Sequence, residues 1–157
     1  MRILVISDTH SAKKLMDKLK VKLAGNIDMI IHAGDHFEDS IYLKSILNVP
    51  VMAVVGNCDF NTAEKELDFE LEGINIFLTH GHKYGVKSSD DLIVQRAKKV
   101  NAKIAIYGHT HIKEDKEIEG VRVINPGSLT LPRDGCKGSY VILEVENGKF
   151  AYYFDTL

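Results

Sequence analysis

The chain of 157 residues is most simply one domain, spanning residues 1–157, and it is long enough to bury a sizeable core. A net charge of −2 gives no electrostatic case for a polyanion partner, so nucleic-acid binding is not indicated. No apolar run approaches the roughly 18 residues of a membrane-spanning helix, and 2 cysteines are too few for a disulfide framework, so we expect a cytoplasmic protein without a membrane partner.

The first half of the chain alternates apolar runs with amphipathic stretches. Short, unbroken apolar runs predict buried strands at residues 3–6, 28–33 and 51–55. The stretches between them predict two helices, at about 11–24 and 39–48, with Ser11 and Asp39 as their N-caps. The resulting βαβαβ order predicts a parallel sheet with right-handed crossovers.

The second half of the chain has a mixed pattern. A third helix is predicted to run to about Val100, and either Ser88 or Ser89 can cap its first turn. The dipeptide Asn147-Gly148 between two strand-like runs is a strong signal for a type I′ hairpin. The predicted strands of this half are 66–72, 74–79, 103–107, 116–119, 121–124, 139–146 and 149–154.

Polar side chains follow five of the predicted strands at the points where those strands end. In open α/β sheets the strand ends meet at one edge, which is where ligands bind. If the chain stays extended after the first strand, Asp8 and His10 point to the same side and can reach one ion. A helix-capping aspartate beside a loop histidine is the other interpretation of that first site alone. The residues at the five strand ends are Asp8, His10, Asp35, Asn57, His80, His109 and His111.

The chemistry of this residue set favours transition metals. It combines carboxylate and amide oxygens with imidazole nitrogens and does not require a thiolate, which suits Mn²⁺, Fe²⁺, Ni²⁺, Co²⁺ or Zn²⁺. The set is too large for one ion and about right for two. Two ions about 3.5–4 Å apart are the usual arrangement for in-line displacement at phosphorus.

The spacing of these residues resembles that of the calcineurin-like metallophosphoesterases. The matching pieces are Asp8-x-His10, Gly34-Asp35, Gly56-Asn57-x-Asp59, His80-Gly81-His82 and Gly108-His109-x-His111. The small size, with Asn125-Pro126-Gly127-Ser128 and Pro132-Arg133-Asp134-Gly135, is similar to the minimal single-domain, YfcE-like phosphodiesterase branch. The resemblance implies a four-layer αββα sandwich of two mixed β-sheets with flanking helices, and a metal site at the strand carboxyl ends.

The resemblance also implies roles for individual residues. Two divalent transition-metal ions per chain are expected, with Asp35 bridging them. Asp8, His10 and His111 would hold the first ion, and Asn57, His80 and His109 the second. A metal-bridging hydroxide would attack a small-molecule phosphodiester, and Arg133 would help to neutralise the transition state. His82 is either a further ligand or a residue that supports one, and a homo-oligomer is possible.

One position departs from the family pattern. Relatives usually carry a histidine where this chain has Cys58, and that histidine is thought to protonate the leaving group. A thiol is a weak donor, so we expect Cys58 to be a small buried hydrophobe rather than a catalytic group. Loss of the acid favours diesters over alkyl monoesters. His32, inside an apolar strand, is expected to be a core or supporting residue, and His36 is expected to be more open.

Three alternatives to a phosphodiesterase remain at this level. The same site suits a phosphomonoesterase or a nucleotide pyrophosphatase. The same fold also serves as a protein-binding scaffold in a retromer subunit whose metal site is degraded. This chain keeps every expected ligand, and so many costly polar groups held together without metal would be hard to explain.

Overall fold

The computed structural model describes residues 1–60 and 62–157, and within them three helices and ten strands are arranged in two sheets. No helix of this described part is long and apolar enough to cross a membrane. The elements are β1 (Arg2–Ile6), α1 (Lys13–Leu23), β2 (Met29–His32), α2 (Phe37–Leu47), β3 (Val51–Ala53), β4 (Glu66–Leu71), β5 (Ile74–Thr79), α3 (Asp91–Lys99), β6 (Ile104–Ile106), β7 (Lys113–Ile118), β8 (Val121–Pro126), β9 (Ser139–Glu146) and β10 (Lys149–Thr156).

Both sheets are mixed, with parallel strands next to one another and antiparallel strands outside them. The first sheet has the order β10-β9-β1-β2-β3, and the second has the order β4-β5-β6-β8-β7. Strands β1, β2 and β3 are parallel, as the βαβαβ pattern predicted, and so are β5, β6 and β8. In the first sheet Ile6 pairs with His32, so the loops after β1 and β2 leave the sheet side by side.

Three buried clusters fill the spaces between the layers. Ile3 and Val5 of β1 pack toward the second sheet, against residues such as Ile76 of β5. The alternate residues of β1, including Leu4 and Ile6, pack against α1 and α2 on the other face. Helix α3 covers the outer face of the second sheet. The four-layer αββα arrangement is therefore confirmed, and burial of β1 on both faces explains its unbroken apolar run.

The predicted caps of the first two helices are wrong. Helix α1 begins at Lys13 and has Ala12 at its N-cap, while the Ser11 backbone N–H donates to Asp39 Oδ2 at 2.8 Å. Asp39 lies inside α2, which begins at Phe37, and its buried carboxylate also accepts from Thr9 at 2.6 Å. Ser11 and Asp39 are therefore hydrogen-bonded to each other and do not cap their own helices. This is a tertiary contact that local sequence does not reveal.

The third helix and the last hairpin follow the sequence signals more closely. Asp90 is the N-cap of α3, and the Ser89 hydroxyl accepts from the Asp91 N–H at 3.1 Å, so Ser89 supplies the capping bond. Asn147 and Gly148 have φ angles of 50° and 74°, as a type I′ turn requires. Strand β3, however, ends at Ala53 rather than at Val55.

Candidate metal centre

The candidate metal centre lies where the carboxyl ends of the parallel strands of both sheets meet. Loops after β1, β2 and β3 contribute from one sheet, and loops after β5 and β6 contribute from the other. The loops are hydrogen-bonded to each other: the Asp8 N–H donates to Gly34 O at 3.0 Å, and the Gly108 N–H donates to His80 O at 3.1 Å. All of the expected ligand residues are brought into contact there: Asp8, His10, Asp35, Asn57, His80, His109 and His111.

The backbone at this centre is left-handed rather than extended. The φ angles are 52° at Asp8, 42° at His10, 59° at Asp35, 68° at His109 and 60° at His111. The chain is therefore not extended from Asp8 to His10, yet both residues reach the same group of ligand atoms. Each such non-glycine residue costs on the order of 1 kcal/mol or more, a cost that clusters at functional sites.

The first group of ligand atoms comes from Asp8, His10, Asp35 and His111, and these atoms lie within 4.8 Å of one another. The His111 Nδ1–H donates to the carbonyl of Leu131 at 2.9 Å, which leaves a lone pair on Nε2. That nitrogen is 3.4 Å from His10 Nε2 and 3.1 Å from Asp8 Oδ1. The lone pair of His111 Nε2 therefore faces Asp8 Oδ1. Two electron-rich atoms this close together are stable only if a cation lies between them or a proton binds one of them.

Asp8 has one carboxylate oxygen held by the protein and one left over. Its Oδ2 accepts from the Ser7 hydroxyl at 2.6 Å and from the His109 backbone N–H at 3.0 Å. Its Oδ1 is buried and accepts no hydrogen bond from any part of the chain that the structure describes. A buried carboxylate oxygen without a donor is costly, and a metal ion would satisfy it.

The second group comes from Asp35, Asn57 and His80. The His80 Nδ1–H donates to Ala33 O at 2.8 Å, so the lone pair of Nε2 faces Asp35 Oδ1 at 3.3 Å and Asn57 Oδ1 at 3.1 Å. The ring of His109 stands edge-on to that of His80, with the ring centroids 5.1 Å apart. Three acceptors converge here, and Asp35 belongs to both groups.

The pKa shifts of these groups also indicate that the site favours a bound positive charge. Burial alone would raise the pKa of Asp35, but its contacts with His80 and the Cys58 N–H hold it well below the usual range. Contact with Asp8 raises the pKa of His111. Burial and the charge of His80 lower the pKa of His109 to about 4, so that imidazole is neutral at pH 7 and able to bind a metal.

Two glycines let the loops approach the carboxylates. A Cβ added at Gly56 would overlap Asp35 Oδ1 and lie 2.6 Å from the Asp35 nitrogen. A Cβ added at Gly108 would overlap the Ser7 hydroxyl and lie 2.6 Å from Asp8 Oδ2. At both positions the neighbouring carboxylate occupies the volume that a side chain would need.

The other predicted residues lie around this cluster. His32 is fully buried and uncharged, since burial lowers its pKa to about 4, and it bonds to Thr9 and to the Gly34 N–H. His36 is half-buried, with its ring edge-on to that of His10. His82 stands near His80 and His109, and its buried Nδ1 has no hydrogen-bond partner among the residues described.

Arg133 is not part of the cluster. Its backbone N–H donates to His111 O at 3.0 Å, and its side chain lines an adjoining cavity of ≈ 380 Å³. A larger cavity of ≈ 560 Å³ lies around Arg2 and Lys149, and none of the expected ligands lines either cavity.

Cys58 is exposed, so the expectation of a buried hydrophobe is wrong. The chain after β3 stays buried through Gly56 and then places Cys58 at the exposed rim of the centre. Its backbone N–H donates to Asp35 Oδ1 at 3.0 Å. Partial burial and the nearby Asp35 carboxylate raise the pKa of the thiol to about 11, which keeps it protonated at pH 7.

Three residues that support the centre received no role from sequence. Asp59 accepts backbone N–H bonds from Gly56 at 2.7 Å, Asp35 at 3.1 Å and Phe37 at 2.7 Å, and so ties three loop positions together. Asn125 donates to Gly108 O at 2.9 Å, and the Ser128 hydroxyl donates to Asp8 O at 2.8 Å. All three residues occur in the sequence motifs that identify the family, and this was the only indication of their importance in the sequence.

Comparison with known proteins agrees with this geometry. Residues 1–148 match the family model of the calcineurin-like phosphoesterase superfamily domain. The chain belongs to this superfamily. A probable metallophosphoesterase of Bacillus subtilis strain 168, YsnB, is 33% identical over 148 residues, which cover 94% of this chain and 86% of YsnB. Phosphodiesterase MJ0936 of Methanocaldococcus jannaschii is 28% identical, over 81% of this chain and 83% of its own.

Solved structures show the same superfamily fold. A predicted phosphoesterase from Streptococcus pneumoniae TIGR4 has a TM-score of 0.83 at 26% identity, covering 99% of this chain and 88% of that chain. Vps29 of Entamoeba histolytica, in a structure complexed with Zn²⁺, has a TM-score of 0.81 at 23% identity, covering 98% of this chain and 91% of that chain. The likeness to Vps29 concerns the fold alone.

Proposed function

We propose that this chain hydrolyses phosphodiester bonds with two divalent transition-metal ions. The observation that carries the proposal is the pair of donor groups that share Asp35, in which lone pairs and carboxylate oxygens face one another at 3.1–3.4 Å. Asp35 would bridge the ions. Asp8, His10 and His111 would hold the first ion, and Asn57, His80 and His109 would hold the second.

When bound, the ions would supply Lewis-acid activation of water and of the phosphoryl oxygens. The chain itself fixes the geometry for this chemistry. Leu131 and Ala33 orient the imidazoles of His111 and His80 through their Nδ1–H groups. Asp59 holds the backbone of Asp35. From the adjoining cavity, the Arg133 guanidinium would neutralise charge that develops on the phosphoryl group.

The substrate class, phosphodiesters, is proposed because a thiol, that of Cys58, replaces the histidine that the family usually has at this position. A protonated thiol with a pKa of about 11 is a poor general acid at pH 7, so a leaving group has to depart with little proton donation from this position. Diesters with acidic leaving groups tolerate this best. A relative that is itself named a phosphodiesterase supports the same class. Phosphomonoesters and nucleotide pyrophosphates are the alternative substrates, and relative rates on the three classes would separate them.

A non-catalytic scaffold is the alternative outside enzymes, because Vps29 has the same fold. The complete donor set, with five of its seven residues in the left-handed backbone region and four of the seven buried, favours a functional metal site instead. We also propose a cytoplasmic location, since Cys58 and Cys136 are both free and exposed thiols, as a reducing compartment allows.

Metal removal and reconstitution test the proposed function. Exhaustive chelation should abolish hydrolysis of a nitrophenyl diester, and Mn²⁺ or Ni²⁺ should restore it better than Ca²⁺, because imidazole ligands disfavour calcium. Elemental analysis should find two ions per chain in the wild type and fewer in His10→Ala. The matched control is His36→Ala, which removes a neighbouring imidazole outside the proposed ligand set and should keep both ions. Full hydrolysis without detectable metal would contradict the proposal.

A further inference from the structure

Apart from Arg133, the residues that line the cavity of ≈ 380 Å³ beside the metal centre have no role in the chemistry described so far. None of the expected ligands lines this cavity, but Thr110, which does, lies between His109 and His111 in the chain. Arg133, which also lines it, is hydrogen-bonded through its backbone to His111 at 3.0 Å. Its volume falls within the range of about 300–1,000 Å³ that ligand sites occupy.

The charges around the cavity leave two cations available. Of the five charged side chains that line it, Lys116 is paired with Asp90 at 3.3 Å and with Glu114. Asp90 also accepts from the Tyr107 hydroxyl at 3.1 Å, which further occupies that carboxylate. Lys87 and Arg133 form no ion pair with any residue in the described part of the chain. The lining carries a net charge of +1 on a protein whose overall charge is −2.

We propose that this cavity binds a second phosphate group, carried by the substrate next to the phosphodiester that is cleaved. Lys87 would contribute a point charge to the second phosphate, and the planar Arg133 guanidinium, which carries several donors, would lie between this phosphate and the phosphoryl group that is cleaved. The inference rests on the proposed function and narrows its substrate class to phosphodiesters with a further phosphate on one esterified group. A charged and hydroxyl-bearing lining suits such a group better than an apolar one.

Kinetics with two matched diesters test this assignment. The first is p-nitrophenyl phenyl phosphate, and the second is the same ester with a phosphate group on the phenyl ring. We expect a lower KM for the second ester in the wild type. Lys87→Gln should raise that KM about three- to tenfold, a modest factor because Lys87 is exposed, and should leave the first ester unchanged. Lys83→Gln, an exposed lysine from the same loop outside the cavity, is the control and should change neither ester.

Binding to the chelated protein separates this inference from the proposed function. The chelated metal centre carries uncompensated carboxylates and cannot hold a phosphate, so phenyl phosphate should bind this protein through the cavity alone. By calorimetry, Lys87→Gln should weaken that binding, and Lys83→Gln should not. If the two diesters have equal KM values, or if Lys87→Gln and Lys83→Gln behave alike in both assays, the second-phosphate site is wrong even though diester hydrolysis stands. If no diester is hydrolysed, the proposed function fails, and the calorimetric comparison still decides whether the cavity binds a second phosphate.

Discussion

Replacing Gly56 with alanine disturbs the position of the Asp35 carboxylate in the metal centre. The added methyl group would overlap Asp35 Oδ1 and lie 2.6 Å from the Asp35 nitrogen, so the carboxylate has to move by about 1 Å to reach ordinary contact. The backbone nitrogen cannot yield easily, because it is bonded to Asp59 Oδ2 at 3.1 Å. The displacement therefore falls on the carboxylate that faces His80 and on the loop that carries Gly56 itself.

The expected cost has two parts. Overpacking of this kind destabilises a protein by about 1–3 kcal/mol. A misplacement of about 1 Å at a catalytic group lowers turnover by about 10²-fold. Gly56→Ala should therefore lose at least about 100-fold in diester hydrolysis and bind fewer than two ions, while the fold survives. Urea unfolding, elemental analysis and initial rates measure the three effects.

Gly25→Ala is the matched control for this variant. Gly25 has a φ of 76° and nothing within 4 Å of an added Cβ, so alanine there costs backbone strain on the order of 1 kcal/mol without touching the metal centre. It should lose a similar amount of stability and keep its ions and its activity. If Gly56→Ala also retained two ions and near-normal turnover, Asp35 would not be the bridging ligand.

Three further predictions concern single side chains. Asp35→Asn should lower metal occupancy and turnover more than His10→Ala does, because it removes charge from both ions at once; equal effects in metal titrations would contradict the bridge. Cys58→His should raise the rates for monoesters and for esters with alkyl leaving groups, by part of the about 10²–10⁴-fold that a general acid contributes. Cys58→Ala should keep its rate on nitrophenyl diesters. A large loss of that rate, at equal metal content, would assign the thiol a direct role. His32 has a folded pKa of about 4 against 6.5 for the free side chain, so the unfolded chain binds more protons between these values. Stability should therefore fall as the pH drops from 6.5 to 4, by up to about 3 kcal/mol from this residue, and urea unfolding of His32→Gln should show a shallower dependence.

Much of the architecture was predictable because it depends on local pattern. The apolar run from Ile3 to Ile6 is short and unbroken, which indicates a strand buried on both faces, and the structure places it between two layers. The order of strands and helices predicted the parallel part of the first sheet. The seven expected ligands came together because each follows a strand, and strands that run in parallel end at a common edge.

Other features depend on contacts between distant segments, and only the tertiary structure decided them. Ser11 and Asp39 have good capping side chains, but they bond to each other's loops, since β1 and β2 end side by side. The left-handed backbone at Asp8 and His111 has no local signal, because buried neighbours hold it in place.

The same distinction applies to the rim of the metal centre. Cys58 is exposed although the segment before it, residues 54–56, is buried, so the apolar run through Val55 gives no sign of this exposure. Lys87 and Arg133 are far apart in the chain, and only Arg133 was given a role from the sequence, through the family resemblance; folding places both around one cavity beside the metal ligands. The sequence determined which chemical groups collect at the sheet edge, since that follows from strand ends. Which atoms face one another, and which charges stay unpaired, depends on packing between loops that the sequence separates.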